Sequence, residues 1–352
     1  MTPRSRSRRV LICEDSLAYA TALSRFLERD EEIEVIGIAP TGEQALADVE
    51  RLEPSLLTLD MQLPGMDGLE VVKRLMGSNP LPIVILSAKV ARGSERAAEA
   101  LAAGALEVLG KDMLRLDNPD DLWAQAMRSR LKRLSSMRVA RAARFAPAKP
   151  ATARSGGRSG VGSRTALAIG IGASTGGPPA LDTILGGLPA DLSVPVLVVQ
   201  HMAPGFIEGF ARWLDHKLAI PVRLASEGER AAPGVWFAPD GAHLLLTETM
   251  RFALAAEPET PHRPSVDTLL GSLGRSAGSE AVGVVLTGMG SDGAIGAAEI
   301  RRSGGLLIAQ DERSSVVYGM PRAVVEDGAD LVAPPAEISA ALSALRPARR
   351  IA

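Results

Sequence analysis

Residues 8–16, "RRVLICEDS", carry the reading that decides the fold. Four apolar residues, Val10 to Cys13, run without alternation into two acids, Glu14 and Asp15. A short unbroken apolar run that ends in polar residues fits a strand buried on both faces, as in a parallel sheet. Downstream, "LAYATALSRFLERD" has helical apolar spacing, "IEVIGIA" reads as a second strand and "TGEQALADVERLEP" as a second helix. "SLLTLDMQLPGMDG" is a third strand ending in Asp60 and a Pro-Gly turn, and "LPIVILSAK" a fourth ending in Ser87. "ALEVLGK" gives a short fifth strand ending in Lys111, and Asn118 to Leu134 predicts a closing helix. Strands alternating with helices predict a doubly wound α/β domain.

In such sheets the functional edge lies at the carboxyl ends of the strands. Those ends gather Glu14, Asp15, Asp60, Ser87 and Lys111. Three crowded carboxylates call for a cation, and hard oxygen ligands favour Mg²⁺. A lysine and a hydroxyl beside them suit a phosphoryl group. Asp60 is the expected nucleophile, forming an aspartyl-phosphate. Glu14, Asp15 and Asp60 are the expected metal ligands, with Lys111 and Ser87 holding the phosphoryl oxygens. Over roughly residues 8–130 this half resembles the receiver domain of two-component response regulators, through "CEDS", "LDMQLPGMDGLE", "ILSA" and "GALEVLGK". The resemblance implies a flavodoxin-like fold and a sensor histidine kinase as partner. Three positions depart from the receiver pattern. Asp112 follows the lysine where proline is usual, Val108 stands where an aromatic is common, and Glu14 replaces the commoner Asp.

The chain has 352 residues, 46% hydrophobic and 23% charged, enough for two or three domains. Its one cysteine, Cys13, excludes an internal disulfide and suits a reducing compartment. No apolar run reaches ~20 residues, so no membrane insertion is expected. The basic start "MTPRSRSRRV" lacks the apolar core of a secretory signal, and a cytoplasmic location follows. From Leu122 to Leu181 there is no acidic residue, and "RFAPAKPATARSGGRSGVGS" offers little to bury. Such a segment reads as a basic flexible linker over residues 131–164, separating domains at 1–130 and 165–352. It lacks the interleaved aromatics that stack on bases, so no nucleic acid is expected.

The second half opens with "IGIGASTGG", Ile169 to Gly177. Neither glycine frame completes a dinucleotide fingerprint, and no lysine supplies a Walker loop. Gly172 to Gly176 matches G-x-S-x-G, a serine on a sharp strand-to-helix turn. A nucleophilic Ser174 needs a base and an orienting acid. His216 falls in a helical stretch, His243 at a turn after "APDGA", and His262 in the Pro-rich loop "ETPHRPSVD". His201 ends the apolar run "VPVLVVQH" and so lies on the same sheet edge as Ser174. Asp292 follows the buried run "AVGVVLTGMGSDG" on that edge, although it could simply cap the helix "GAIGAAEIRR". Asp311, after "GGLLIAQ", is the rival acid. Backbone N–H groups at Thr175 and near Met289 are the candidate oxyanion donors.

The motifs "GASTGGP", "QHMAPGF", "APDGAHL", "HRPSVD", "LTGMGSDGA" and "AQDERSSVVYGMP" occur in order across residues 165–350. Together they resemble the catalytic domain of chemotaxis protein-glutamate methylesterases. The resemblance implies a second, Rossmann-like α/β domain and a Ser174–His201–Asp292 triad. It also implies an oxyanion contribution near Met289, and hydrolysis of glutamyl methyl esters on methylated chemoreceptors, with glutamine deamidation by the same acyl route. No cofactor is expected for the esterase step, and Mg²⁺ only for phosphorylation. The competing expectation is a receiver-linked binding module whose serine pocket is non-catalytic.

Overall fold

The computed structural model describes residues 7–88, 95–137, 139 and 164–348. The chain divides into two compact units, Met1–Arg144 and Phe145–Ala352. The first holds β1 (Arg8–Cys13), α1 (Leu17–Leu27), β2 (Ile33–Ala39), α2 (Gly42–Leu52), β3 (Leu56–Asp60) and α3 (Gly68–Ser78). It continues with β4 (Ile83–Ser87), α4 (Glu95–Ala102), β5 (Glu107–Gly110) and α5 (Leu122–Leu134). The strands form a parallel sheet in the order β2-β1-β3-β4-β5. Strand β1 has neighbours reached by connections running in opposite directions, so the crevice opens at its carboxyl end beside β3. Glu14 and Asp15 leave β1 there, and Asp60 is the last residue of β3.

Two boundaries differ from the sequence expectation. Strand β5 stops at Gly110, and Lys111 opens a single 3₁₀ turn that runs to Leu114. Helix α5 starts at Leu122 rather than Asn118, because the Asp121 side chain accepts from Ala124 N at 2.6 Å and fixes the N-cap there. The same helix continues to Leu134, past the expected boundary at 130. Most of the expected linker, residues 131–164, lies outside the described residues.

The second unit runs β6 (Thr165–Ala166), β7 (Ala168–Ala173), α6 (Gly177–Gly186), β8 (Pro195–Gln200), α7 (Ile207–Lys217), β9 (Val222–Leu224) and β10 (Gly234–Phe237). A hairpin of β11 (His243–Leu246) and β12 (Phe252–Ala255) leads to α8 (Val266–Ala277). Then come β13 (Ala281–Val285), α9 (Ala294–Arg302), β14 (Leu306–Gln310), α10 (Met320–Asp327), β15 (Leu331–Ala333), α11 (Pro335–Ser343) and β16 (Arg346–Pro347). Seven of the strands form a parallel sheet in the order β15-β14-β13-β7-β8-β10-β9.

The chain leaves β7 toward β8 on one side and later returns to β13 on the other. The end of β7 is therefore the switch point of this sheet. Helix α8 lies against the glycine face of β7. A Cβ at Gly172 would fall 2.1 Å from Val266 Cγ1, and one at Gly170 would meet Leu270 and Leu273 at 2.9 Å. The alternate glycines of "IGIGA" thus let α8 approach the strand closely. Its first turn is carried to the edge where Ser174 emerges. Leu269, Leu270 and Leu273 pack there with Leu197, Val199 and Phe252 in one buried core.

Candidate active site

In the first unit, Lys111 Nζ lies 2.7 Å from both Glu14 Oε2 and Asp60 Oδ2. Glu14 and Asp60 are buried, while Asp15 is exposed. Burial raises the Glu14 pKa above the usual carboxylate value despite Lys111 beside it. Burial acts to lower the Lys111 pKa, but hydrogen bonds and charge from Asp60 and Glu14 outweigh it and hold the pKa above the usual lysine value. Oxygens of Glu14, Asp15 and Asp60 lie within 4.8 Å of one another. Three hard oxygen donors against a single ammonium leave net negative charge, an acidic cluster typical of a Mg²⁺ site. Ser87 is buried at the end of the neighbouring strand β4, its hydroxyl 3.5 Å from Ala88 O. Tyr19 was not singled out from the sequence. Its hydroxyl donates to Lys111 O at 3.4 Å, and its ring lies 4.6 Å from the Lys111 ammonium. The Cys13 thiol beneath the cluster is pushed up to about 12, chiefly by burial and then by the negative charge of Asp60 and Glu14.

In the second unit, Ala173 pairs with Gln200 across β7 and β8, and His201 N donates to Ala173 O at 2.9 Å. Ser174 and His201 therefore leave adjacent strands side by side. Asp292 Oδ2 lies 2.9 Å from His201 Nε2, at hydrogen-bond distance though outside good hydrogen-bond alignment. His201 Nδ1 is buried and has no partner among the described residues. The three expected triad residues are thus brought to one edge.

Asp292 does not cap the helix that follows it. It accepts from Ser265 Oγ, Val266 N and Asp267 N, each at 2.9 Å, and so closes the first turn of α8. Asp267 reciprocates, accepting from Gly293 N and Gly296 N at 2.9 Å and capping α9. The two helices exchange caps, and this exchange aims the Asp292 carboxylate at His201. Burial favours the protonated form of Asp292, but the pair with His201 and the backbone N–H groups outweigh it, so its pKa lies well below the usual carboxylate range. Asp267 moves the opposite way, raised by burial and by the neighbouring Asp292 charge. Asp311, the rival acid, is occupied at its own turn, where it accepts from Ser314 N and Ser314 Oγ.

The expected oxyanion donors sit in a turn stitched to the serine. Ser174 N donates to Thr287 O at 3.0 Å, and Thr287 N is held by Gln310 Oε1 at 2.8 Å. Among the described residues, no acceptor takes the N–H of Thr175 or of Met289. Both remain available to an oxygen of a bound substrate.

Four residues acquire roles that the sequence did not suggest. His262 stacks on His201 with ring centroids 4.2 Å apart and planes at 20°. His243, expected at a turn, opens β11 instead: it is fully buried, accepts from Ser265 N at 3.1 Å, and lies 2.9 Å from Pro258 O. That pattern fixes its proton on Nε2 and anchors the Ser265 backbone beneath Asp292. Ser265 itself caps α8. Gln200 reaches under both Ser174 and His201. A cavity of about 50 Å³ beside His201 is lined by Met202, Ile207, Asp240, His262 and Arg263, among others.

Comparison with known proteins agrees with this layout. Residues 169–342 match the family described as CheB methylesterase, and residues 10–125 match the response regulator receiver domain. The chain is 41% identical to protein-glutamate methylesterase/protein-glutamine glutaminase 1 of Syntrophus aciditrophicus, over 95% of this chain and 97% of that one. It is 41% identical to number 4 of that name from Myxococcus xanthus, covering 92% of each. The crystal structure of the Thermotoga maritima CheB methylesterase catalytic domain matches with a TM-score of 0.50 and 39% identity, covering 51% of this chain and 98% of that one.

Proposed function

The chain belongs to the CheB-type protein-glutamate methylesterases with an N-terminal receiver domain, and from that premise we propose how its own residues perform and control the reaction. It is a protein-glutamate methylesterase/protein-glutamine glutaminase regulated by its receiver domain. Its partners are a chemoreceptor substrate and a phosphate-donating kinase, and we assign it to the cytoplasm, where both would be met.

Ser174 attacks the glutamyl ester carbonyl. Asp292 faces Nε2 of His201 and keeps the proton on that nitrogen, which leaves the buried Nδ1 lone pair to take the Ser174 proton. The N–H groups of Thr175 and Met289 hold the developing oxyanion, worth about 3–4 kcal/mol per donor in such sites. His201 then protonates the departing methoxide, releasing methanol, and activates the water that frees the glutamate. A glutamine side chain follows the same route and releases ammonia. The observation that carries this reading is the 2.9 Å contact between His201 and Asp292 beside the serine turn.

In the receiver, Asp60 accepts the phosphoryl group and Lys111 shifts its ammonium from the carboxylates to phosphoryl oxygens, with Ser87 donating from β4. Glu14, Asp15 and Asp60 would hold Mg²⁺, which neutralises charge on the incoming phosphate. Methanol release from methylated receptor membranes, with and without a small-molecule phosphodonor, tests both halves. Release should rise with the donor, lose that rise in Asp60→Asn, and vanish in Ser174→Ala. Release that survives Ser174→Ala would return the serine pocket to a binding role.

A further inference from the structure

Gln200 is the last residue of β8 and is 4% exposed. Its Nε2 donates to Ser174 O and to His201 O, both at 2.9 Å. Two carbonyl acceptors facing one end of the amide settle its orientation, since the reversed amide would set oxygen against oxygen. The other end, Oε1, is buried without a hydrogen-bond partner among the described residues. An unsatisfied buried carbonyl costs roughly 1–3 kcal/mol. A side chain kept solely for stability would be better replaced by an apolar one. The strain is tolerated at the point where nucleophile and base leave their strands.

Around this amide the chain makes room. A Cβ at Gly177 would fall 2.0 Å from Gln200 Oε1, so any side chain at the first position of α6 would have to displace the amide. Without the amide, the Ser174 and His201 carbonyls would lose the donor they share, and among the described residues the nearest backbone tie between the two segments is the strand ladder's last bond, His201 N to Ala173 O.

We propose that Gln200 is a positioning residue for the hydrolysis, a clamp that sets the spacing between the Ser174 and His201 backbones and hence between hydroxyl and imidazole. This rests on the assignment of Ser174 and His201 given above. Misplacement by about 1 Å costs about 10²-fold in such pairs. The clamp touches neither substrate nor reacting atoms, so its loss should appear in kcat and leave KM in place.

The test uses the full-length protein and methylated receptor membranes, with reactive serine counted by a fluorophosphonate probe. Gln200→Met keeps the shape and removes both donors. Its kcat per titrated serine should fall 10- to 100-fold with KM unchanged. Gln200→Glu retains one donor while its carboxyl is protonated. Its kcat should therefore carry an added limb that falls as pH rises through that carboxyl's titration. A purely structural role predicts a lower Tm and fewer titrated serines, but parental kcat per titrated serine and a parental pH profile. That result in either variant would overturn the clamp. Ser174→Ala, run alongside, separates the two readings: if it retains turnover, the site assignment fails, whereas a dead Ser174→Ala beside a parental Gln200→Met removes only the clamp.

Discussion

Replacing Asp292 by asparagine probes the exchanged caps and the triad at once. The carboxylate accepts on both oxygens: Ser265 Oγ and Asp267 N on Oδ1, Val266 N on Oδ2, with His201 Nε2 also 2.9 Å from Oδ2. An asparagine offers one acceptor end. With its oxygen in the Oδ1 position, its NH₂ faces Val266 N–H and His201. Flipped, the NH₂ faces Asp267 N–H instead. Either way a backbone donor of α8 meets another donor. A hydrogen bond to a charged acceptor contributes about 1.5–3 kcal/mol, so a loss of about 2–3 kcal/mol is expected. For a unit of this size that corresponds to a Tm lowered by about 5–10 °C. Catalysis should suffer more, because the amide favours the wrong imidazole tautomer, and the equivalent change in a serine protease costs about 10⁴ in kcat.

The stability difference also has a pH signature. Asp292 has a folded pKa below its unfolded value near ~3.9. Its stabilisation is whole above about pH 5 and is lost as pH falls through the unfolded and then the folded value. Calorimetry of parent and variant should therefore show a gap at neutral pH that closes in acid. A variant with parental Tm at pH 7, or one within tenfold of parental kcat, would refute the reasoning.

Gly177→Ala should reproduce the kinetic defect of the Gln200 variants from a different residue, lowering kcat at least tenfold because the new Cβ displaces the Gln200 amide; parental kcat would show that the helix can yield instead. His243→Phe leaves Ser265 N–H and Pro258 O without their ring partner, which should cost about 2–4 kcal/mol by Tm; kcat should fall far less than in Asp292→Asn, since Val266 and Asp267 still hold the carboxylate. Chelation by EDTA should abolish labelling of Asp60 by a phosphodonor and leave basal methanol release intact, a split read by running both assays on one sample. Lys111→Met should keep Asp60 phosphorylated but stop the rise in methanol release, because the ammonium that leaves Glu14 and Asp60 is missing.

Both sheets were legible chiefly because their central strands are short apolar runs, and the edge that gathers the expected triad because Ser174 and His201 directly follow such runs while Asp292 lies in the turn after a third. "VPVLVVQH" and "AVGVVLTGMGSD" place His201 and Asp292 at an edge before any contact is known. What the sequence hid depends on partners distant in the chain. Nothing local marks Ser265 or His243 as supports for Asp292, since that link exists only once α8 packs on the glycines of β7. Reading Asp292 as a possible cap had the right chemistry and the wrong helix, because a cap on the next turn and a cap on a neighbouring helix have the same local sequence. One signal was available and went unused. Gln200 and Gln310 each end a buried apolar strand, and an amide in that position must bond something.

The order of the sheet explains why the proposed triad needs such supports. β13, β7 and β8 are neighbours, with the serine strand in the middle. Adjacent strands lie about 4.8 Å apart, so the strands carrying acid and base are about 10 Å apart across the nucleophile's own strand. Direct placement at strand ends would put His201 near Ser174 and leave Asp292 out of reach. The loop after β13 must therefore carry Asp292 over the end of β7, and an unsupported loop would not hold a carboxylate there. Helix α8 supplies the support: its first turn donates two backbone N–H groups and one hydroxyl to Asp292, and Asp267 ties the loop's far side down through Gly293 and Gly296. On this account the glycines of β7 serve catalysis at one remove. A bulkier residue at position 172 would lift Val266 away from the strand, and the Asp292 carboxylate with it, without touching any of the three reacting side chains. Gly172→Ala should thus lower kcat by more than its effect on Tm would suggest, while the fluorophosphonate-reactive serine stays in place.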